Sequence, residues 1–419
     1  MRRWVWPIVL VLLFCPTIQA SWSFQELNYS PGESIMDRGI AWHPSGGYAL
    51  IAADTGLYRY SSSTENLTYQ SHSTKILRRV AWSPDGTYAL ITGSIYLYRY
   101  DHSPDGFGSM TEITSIEMTG GTAVTCYDVV WDPANPEDPP YIAANLQTTS
   151  GQHRIVIYRY ESAASPYEVF QDYSGGTTYA NSQAYAPVSV AFQADGDYFV
   201  IANSVANGYS QGILVYDPDQ STFPKEISGA MQYFSFPGDV GNARTVSMSP
   251  LSGTRFVLLK GNGEVLRLDQ TGLPAVFVKG ATGGPWYTSI FGGDSHYSYD
   301  GSKAVILELQ DYDPYHTFVT FDGSGNFDTF VNTDPGINRL LRLYSVKWHP
   351  FEPYGLMAGE DRWIIRFDTD EVPYPVYTAT PEPTATPLPP DIPATGCVSL
   401  WILGLLFSSF LIFSKRRDH

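Results

Sequence analysis

Only a few residues of this sequence have the types and spacing that catalysis requires. The fragment Gly293-Asp294-Ser295-His296 sets a carboxylate, a hydroxyl and an imidazole side by side, and such groups can serve as nucleophile and base. The fragment falls in a predicted β-strand without a supporting motif, so we interpret it as structural. The chain has no HExxH motif, no phosphate-binding Gly loop ending in Lys-Ser or Lys-Thr, and no CxxC pair. These observations favour a binding protein over an enzyme.

Two groups of residues resemble metal ligands in part. His43 and His349 hold equivalent positions in units that should be neighbours, so a metal between them is conceivable. Ser83 and Asp132 hold that position elsewhere, which favours a polar turn position. The segment from Asp322 to Asp328 spaces oxygen ligands as calcium loops do, but it lacks the distal bidentate Glu, and a strand-connecting turn is favoured. We expect no metal or cofactor, although calcium near Asp322 stays an open alternative.

Basic or aromatic residues stand four positions before the large apolar residue in five of the seven repeated units. They are Arg38, Arg78, Arg244, Tyr127 and Tyr344, with Arg342 close by. At the start of innermost strands they should ring one mouth of a central channel. A ring of guanidinium groups could hold a carboxylate or phosphate. The favoured alternative is that each Arg pairs with an acid such as Asp37 or Asp128 and locks neighbouring units together.

Long connections are concentrated in two kinds of loop that should share one face. The second-to-third strand loops lengthen at residues 145–153, 203–211 and 308–316, and the connections between units lengthen at 175–185, 229–242 and 280–288. These loops carry Tyr209, Trp286 and Tyr315, and exposed Tyr and Trp are typical binding anchors. Some of the loop aromatics are expected only to pin their own loops.

The elements that position these residues come from an internal repeat. Residues 40–51 (IAWHPSGGYALI) return at residues 80–91 as VAWSPDGTYALI, and weaker copies centre on Trp131, Phe192, Met248, Tyr297 and Trp348. The period of about 40 to 60 residues is typical of propeller blades. The Trp-Ser-Pro-Asp-Gly pattern resembles the WD-repeat propellers, which implies a rigid platform for partners rather than a particular chemistry.

The alternation of residues within each copy predicts how the units stack. Large residues such as Trp82 share one face of the first strand with β-branched residues such as Val80, while small residues such as Ala41 and Ala81 lie on the other face. Large residues should therefore pack on small ones between blades. The fold class is all-β: a seven-bladed propeller from 21 to 370. The seventh unit lacks a fourth strand, and the segment from Trp22 to Leu27 should supply it and close the ring.

Composition and charge limit the classes of molecule that the protein can bind. Asp and Glu number 42 against 25 Lys and Arg, which gives a formal charge of −17. A surface this acidic repels polyanions, so we expect no nucleic-acid partner. The 30 Tyr, 37 Gly and 30 Pro suit short strands joined by tight turns.

Both ends of the chain indicate export and anchoring. Residues 1–20 combine a basic start, an apolar stretch and a small-residue end, as signal peptides do. Residues 371–396 are rich in Pro and Thr and should form an extended linker. Residues 397–414 are apolar or small and precede the basic tail 415–419, the pattern of a membrane span with its positive end in the cytoplasm.

The linker ends in Ile392-Pro393-Ala394-Thr395-Gly396, which resembles the LPxTG sorting signal of sortase substrates with Ile in place of Leu. The resemblance implies cleavage between Thr395 and Gly396 by a sortase-like transpeptidase and covalent transfer to the envelope. The alternative is an ordinary single-pass anchor. We expect a cell-surface binding or scaffold module for an extracellular protein or glycan. The alternative function is an envelope enzyme, a polysaccharide-active hydrolase or lyase, with its site at the channel mouth.

Overall fold

The computed structural model describes most strands of the predicted propeller. The described residues are 22–30, 34–35, 39–72, 76–93, 96–113, 121–138, 140–148, 153–160, 168–173, 185–192, 194–196, 199–205, 212–216, 231–235, 243–251, 255–260, 265–269, 276–279, 294–308, 317–322, 327–332, 343–370 and 372. The predicted signal peptide (1–20), the predicted linker apart from Val372, the IPATG pentapeptide and the apolar segment 397–414 lie outside these residues. Within the described part of the chain, no helix is long and apolar enough to cross a membrane.

The described strands form seven four-stranded antiparallel sheets, each of which is one blade. The N-terminal strand β1 (Trp22–Asn28) belongs to the last sheet. Blade 1 contains β2 (Ile40–Trp42), β3 (Tyr48–Ala53), β4 (Gly56–Ser61) and β5 (Leu67–Ser71). Blade 2 contains β6 (Leu77–Trp82), β7 (Tyr88–Gly93), β8 (Leu97–Asp101) and β9 (Met110–Ile113). Blade 3 contains β10 (Gly121–Val130), β11 (Tyr141–Thr148), β12 (His153–Arg159) and β13 (Glu168–Tyr173).

The remaining blades repeat this order of strands. Blade 4 contains β14 (Tyr185–Phe192), β15 (Phe199–Val205), β16 (Gly212–Tyr216) and β17 (Met231–Ser235). Blade 5 contains β18 (Ala243–Met248), β19 (Arg255–Lys260), β20 (Val265–Asp269) and β21 (Val276–Lys279). Blade 6 contains β22 (Ser295–Tyr297), β23 (Lys303–Glu308), β24 (Thr317–Asp322) and β25 (Phe327–Asn332). Blade 7 contains β26 (Leu343–Trp348), β27 (Tyr354–Gly359), a 3-10 turn (Glu360–Arg362), β28 (Ile364–Thr369) and β1.

The first strand of each blade contacts the first strand of the next, and β26 contacts β2, so the seven sheets form a closed ring around a channel. Asp322 ends β24 and Asp328 lies in its antiparallel partner β25. Residues 323–326 between them lie outside the described part of the chain, so the turn there stays a prediction.

The N-terminal strand closes the ring as the sequence predicts. Strand β1 pairs with β28 in antiparallel register, with Trp22 opposite Thr369 and Phe24 opposite Phe367. The ring of Trp22 lies edge-on to that of Trp348, with 6.0 Å between their centroids. Since the first and last strands of the described chain belong to one sheet, blade 7 is completed only after the whole propeller has been synthesised.

Arg362 adds a second connection between blade 7 and blade 1. It lies in the 3-10 turn before β28 and is buried. Its Nη2 atom donates to Oγ1 of Thr55 at 2.8 Å and to the hydroxyl of Tyr69 at 3.2 Å, and its Nη1 atom donates to the hydroxyl of Tyr58 at 3.3 Å. Burial lowers the pKa of this guanidinium.

Large residues pack on small ones between neighbouring blades, as predicted. Ala41 of blade 1 lies in one apolar cluster with Val80 and Trp82 of blade 2. Ala81 of blade 2 packs in turn against the cluster that holds Val129 and Trp131 of blade 3. This packing lets adjacent sheets stack face to face and gives each joint its apolar core.

An arginine in the middle of the third strand, as in Tyr58-Arg59-Tyr60, adds a second set of contacts between neighbouring blades. The guanidinium of Arg59 lies 4.2 Å from the ring centre of Tyr48 in the same blade, and that ring packs edge-on against Trp82 of the next blade. Arg99 lies 4.3 Å from Tyr88 and Arg366 lies 4.1 Å from Tyr354, in the same arrangement. These arginines therefore stabilise the blade stack through cation–π contacts.

Candidate functional site

The predicted site residues of the innermost strands lie at β-bulges. The antiparallel register skips one residue between Leu77 and Arg79, between Cys126 and Asp128, between Ala243 and Thr245, and between Leu343 and Ser345. The four skipped residues are Arg78, Tyr127, Arg244 and Tyr344. Blade 4 has the same irregularity between Pro187 and Ser189. Bulges re-aim side chains and are over-represented beside functional sites.

The bulge in blade 7 directs Tyr344 toward a loop at the end of the sheet. Its hydroxyl donates to Oε1 of Glu360 at 2.8 Å, in the turn between the second and third strands. Arg78 at the blade 2 bulge is half-buried. The backbone of Tyr127 lies in β10, and that of Arg244 lies in β18. The other predicted residues, Arg38, Arg342, Tyr209, Trp286 and Tyr315, lie outside the described residues.

The residue after each bulge binds the next blade. Oδ2 of the buried Asp128 accepts a hydrogen bond from the Val190 amide at 2.8 Å, and Oγ of Ser189 accepts one from the Val246 amide at 2.9 Å. Oγ of Ser345 accepts one from the Ile40 amide across the closure, at 3.2 Å. These bonds fix the innermost strands of blades 3 and 4, of blades 4 and 5 and of blades 7 and 1 to each other.

The expected pairing between arginine and Asp128 occurs one residue further along the strand. Arg79, rather than Arg78, approaches Asp128 with 3.5 Å between Nη1 and Oδ2, and both side chains are buried. The bulge at Arg78 accounts for the difference, because it shifts which residue of the strand faces the neighbouring blade. Asp128 therefore connects blades 2, 3 and 4. This is the kind of contact that the blade-locking interpretation of the arginines expects, with Arg79 in place of Arg78.

His43 and His349 lie in the turns that follow the innermost strands of blades 1 and 7. Each ring bonds to the turn of the next blade, so the two imidazoles do not face a common metal position. Nε2 of His43 donates to the carbonyl of Gly86 at 3.0 Å, and Nε2 of His349 donates to the carbonyl of Gly46 at 2.9 Å. Nδ1 of His43 accepts the Ser45 amide at 3.1 Å. Both ring nitrogens of each histidine are thus engaged in turns, which supports the polar turn position and replaces the metal interpretation. Within the described residues, no group of three or more His, Cys, Asp or Glu could hold a metal ion.

Asp294, Ser295 and His296 are part of the blade frame. Oδ1 of the fully buried Asp294 accepts hydrogen bonds from the Ser295 amide at 2.9 Å and from Oγ1 of Thr245 at 3.2 Å. Its Oδ2 accepts the Val346 amide at 3.3 Å. This carboxylate connects blades 5, 6 and 7, so the structural interpretation of the fragment is confirmed.

Residues 208–212 (GYSQG) also have the Gly-x-Ser-x-Gly spacing of a nucleophile elbow. A nucleophile elbow of this spacing needs a strand that turns sharply into a helix. Here the string lies between the paired antiparallel strands β15 and β16, and Gly212 is the first residue of β16. Its remaining residues lie outside the described part of the chain. The described strands on both sides of the string are neighbours in the sheet of blade 4.

The ring encloses a cavity of about 640 Å³ in its channel. The innermost strands of all seven blades line it, from Val80 and Asp128 in the interior to Pro44, Pro133, Pro250 and Pro350 in the turns that follow these strands. Among the lining residues that the structure describes, Asp128 is the one carboxylate, and it accepts the Val129 and Val190 amides and lies beside Arg79.

The comparisons with known proteins agree with this architecture. Residues 63–102 match the family model "WD domain, G-beta repeat". The match runs from the outer strand β5 of blade 1 through the three inner strands of blade 2, so one sequence repeat spans two adjacent blades. No curated protein matches the chain significantly.

Among solved structures, the crystal structure of the Cps50 (Swd1) β-propeller domain of Myceliophteria thermophila is similar, with a TM-score of 0.55 and 12% identity. The match covers 82% of this chain and 99% of that chain. At this identity the likeness concerns the fold. The chain is thus an all-β propeller, and residues 63–102 resemble the WD repeat.

Proposed function

We propose that this propeller is an exported binding module that holds an extracellular protein or glycan at the cell surface. WD40-type propellers generally act as scaffolds for protein binding, and this chain has the rigid closed ring that such a role needs. Hydrogen bonds to Asp128, Ser189 and Ser345 fix blade 3 to blade 4, blade 4 to blade 5 and blade 7 to blade 1. A scaffold fixed in this way loses little conformational freedom when a partner binds.

The observation that carries the proposal is the hydrogen bond between Tyr344 and Glu360. It shows that the bulged start of an innermost strand and the second-to-third strand turn lie at the same end of blade 7. The equivalent bulges of blades 2, 3 and 5 fall at Arg78, Tyr127 and Arg244, at the same point of each innermost strand. We propose that this end of the blades combines these residues at the channel mouth with the lengthened loops, and we name it the long-loop face.

The proposed contact area is the part of the long-loop face over blades 3 to 6. All blades must keep the same packed strands, so loop length varies freely only where the backbone reaches solvent. Tyr209, Trp286 and Tyr315 lie in the lengthened loops of this region and are the proposed anchors. Each has a broad apolar face and a polar edge, which suits both protein and glycan partners.

Export and anchoring complete the proposal. The signal-like residues 1–20 would direct the chain across the membrane, and the Pro and Thr residues of 371–396 would hold the propeller away from the surface. The IPATG motif leaves two routes for attachment: cleavage after Thr395 by a sortase-like enzyme, or retention of the apolar segment 397–414. Mass spectrometry of the C-terminal peptide from the native envelope distinguishes the two routes.

The test of the binding function uses a fragment of residues 21–370, which contains all the described strands. Partners are first captured from surface proteins and from a glycan array, and affinity is then measured for the triple variant Tyr209→Ala, Trp286→Ala, Tyr315→Ala. Loss of one anchor typically costs about 1–4 kcal/mol, so the triple variant should bind at least about tenfold more weakly.

The matched control replaces two exposed apolar residues on the opposite face, Leu251→Ala and Phe351→Ala, which are 52% and 40% exposed. Both lie in turns that follow a first strand. The control should bind as the native fragment does. Unchanged affinity in a folded triple variant would refute the proposed contact area.

A further inference from the structure

Two tripeptides of the chain have the Asn-x-Ser or Asn-x-Thr spacing of N-glycosylation acceptors. They are Asn28-Tyr29-Ser30 and Asn66-Leu67-Thr68, and neither has proline in the middle position. A glycan is bulky and belongs at the protein surface, so its acceptor asparagine must be exposed in the folded chain. The surroundings of the two asparagines therefore decide which of them can be modified.

Asn66 lies in an exposed turn at the outer edge of blade 1. It precedes β5, and its carbonyl accepts the Ser61 amide at 3.0 Å, which closes the turn between β4 and β5. Both Asn66 and Thr68 are exposed. Glu65 of the same turn pairs with Arg366 of blade 7, with 2.6 Å between Oε1 and Nη1. The acceptor tripeptide is thus presented to solvent from a turn that is fixed to the neighbouring blade.

Asn28 has the opposite surroundings. It is the last residue of β1 and is half-buried. Its Nδ2 atom donates to the carbonyl of Arg362 at 2.9 Å and to the hydroxyl of Tyr58 at 3.5 Å. The side-chain amide has two hydrogens, and these two bonds use both of them in the joint between blades 7 and 1. A sugar on this nitrogen would break the joint, so the folded ring is compatible with a glycan at Asn66 and not at Asn28.

The turn of Asn66 lies at the end of blade 1 that is opposite to the long-loop face. The amide and Oγ of Ser62 both donate to the carbonyl of Gly47, at 3.1 Å and 2.9 Å, and Gly47 lies in the turn that follows the first strand. A glycan at this end leaves the proposed partner contacts free. It also lies beside β5, the last strand of its sheet, and bulky sugars next to such an edge hinder pairing with other chains.

We propose that Asn66 carries an N-linked glycan. This inference rests on the export that is part of the proposed function, because the acceptor pattern is used in secreted proteins. The donor is an oligosaccharide linked to a lipid diphosphate. Nδ2 of Asn66 forms a bond to the anomeric carbon of the first sugar, the bond from that carbon to the diphosphate oxygen breaks, and one amide proton leaves with the lipid diphosphate.

Peptide mass spectrometry of the full chain from the native envelope tests the proposal. Trypsin cuts after Lys and Arg and should release residues 60–75 and 21–38 as separate peptides, each with one acceptor tripeptide. We expect peptide 60–75 to carry a mass increment of whole sugar residues and peptide 21–38 to be unmodified. The start of the second peptide reports export separately, because an unprocessed chain would give a peptide that begins at Trp4 instead of Ser21.

Full-length variants made in the same host assign the sugar to the tripeptide. Asn66→Gln and Thr68→Ala should each abolish the increment, while Thr68→Ser should retain it, because serine also satisfies the acceptor pattern. Asn28→Gln is the matched control and should leave the increment unchanged. An increment that persists in Asn66→Gln would assign the sugar to a hydroxyl of the same peptide and overturn the proposal.

Two further results would overturn the glycan site, and they differ in what they say about export. An unmodified peptide 60–75 from a chain that begins at Ser21 would refute the glycan and leave export intact. An unmodified peptide from a chain that retains residues 1–20 would refute both. Neither result affects partner binding by the triple variant, so failure of this site and failure of the proposed function are distinguishable.

Discussion

Nε2 of His349 donates a hydrogen bond to the carbonyl of Gly46 at 2.9 Å, across the joint between the last blade and the first. Gly46 has a φ of +72°, and a Cβ atom there would lie 2.7 Å from Cε1 of this imidazole. His43 and Gly86 repeat the relationship at the next joint, where Gly86 has a φ of +71°. At both joints, the histidine of one blade therefore packs against and bonds to the turn glycine of the next.

Replacement of Gly46 by Ala should lower the free energy of unfolding by about 1–3 kcal/mol. The new Cβ atom would be strained by the positive φ and would also displace the imidazole of His349. Urea unfolding followed by tryptophan fluorescence measures the change. The neighbouring Gly47→Ala is the control, since its Cβ would meet Oγ of Ser45 at an ordinary 3.4 Å, and it should change stability by less than about 0.5 kcal/mol. Equal effects of the two substitutions would argue against this explanation.

Acidification should destabilise the ring through its turn histidines. Burial lowers the pKa of both His43 and His349 below the ordinary value of 6.5, and for His43 the nearby His102 and Arg59 lower it further. The unfolded chain then binds more protons than the folded one below about pH 6.5, so stability falls as the pH drops through that range and is unaffected well above it.

The measurement is the melting temperature between about pH 8 and pH 5. The double variant His43→Ser, His349→Ser places at both positions the residue that blade 2 has as Ser83, and it should show a shallower decline on acidification. A decline as steep as that of the native protein would assign the pH dependence to other groups.

The acid that connects three blades should matter far more than an acid at the surface. Asp128→Ala should cost about 3–5 kcal/mol, because it leaves the buried Arg79 without its counter-charge and the Val190 amide without its acceptor. Asp101→Ala removes a half-exposed acid from its pair with Arg99 and should cost at most about 1 kcal/mol. Chemical denaturation of both variants provides the comparison. Similar costs would mean that the buried pair contributes little to the joint.

Removal of residues 21–29 should open the ring. Without β1 the edge of β28 is unpaired, and Trp348 and Phe367 lose their contact with Trp22. We expect loss of cooperative unfolding and concentration-dependent association through the exposed edge, measured by calorimetry and light scattering. The substitutions Ser23→Ala and Gln25→Ala change exposed side chains of the same strand and should leave the fragment monomeric and cooperative. A monomeric and cooperative truncated fragment would contradict the closure role.

The repeat was sufficient to predict the blades, since its apolar positions are set by a local alternation between two faces of each strand. The orphan strand at Trp22 could also be assigned to blade 7, because a ring of otherwise equal blades has one place for it. The positions of Asp294 and His43 in the repeat were enough to predict that Asp294 is a structural strand residue and that His43 is a polar turn residue. By contrast, the buried contacts of Arg362 carry no signal in the sequence, because its partners Thr55, Tyr58 and Tyr69 lie about three hundred residues away.

The sequence by itself determined the fold class, the number of blades, the closing strand and the packing of large residues on small ones. All of these depend on periods of two residues or of one repeat, which can be read along the chain. The tertiary structure decided that Arg79 and not Arg78 faces Asp128, because a bulge shifts the strand by one residue, and a bulge leaves no mark in the apolar pattern. It also brought Ser345 of the last blade within hydrogen-bond distance of the Ile40 amide in the first, since only closure of the ring makes these two repeats neighbours.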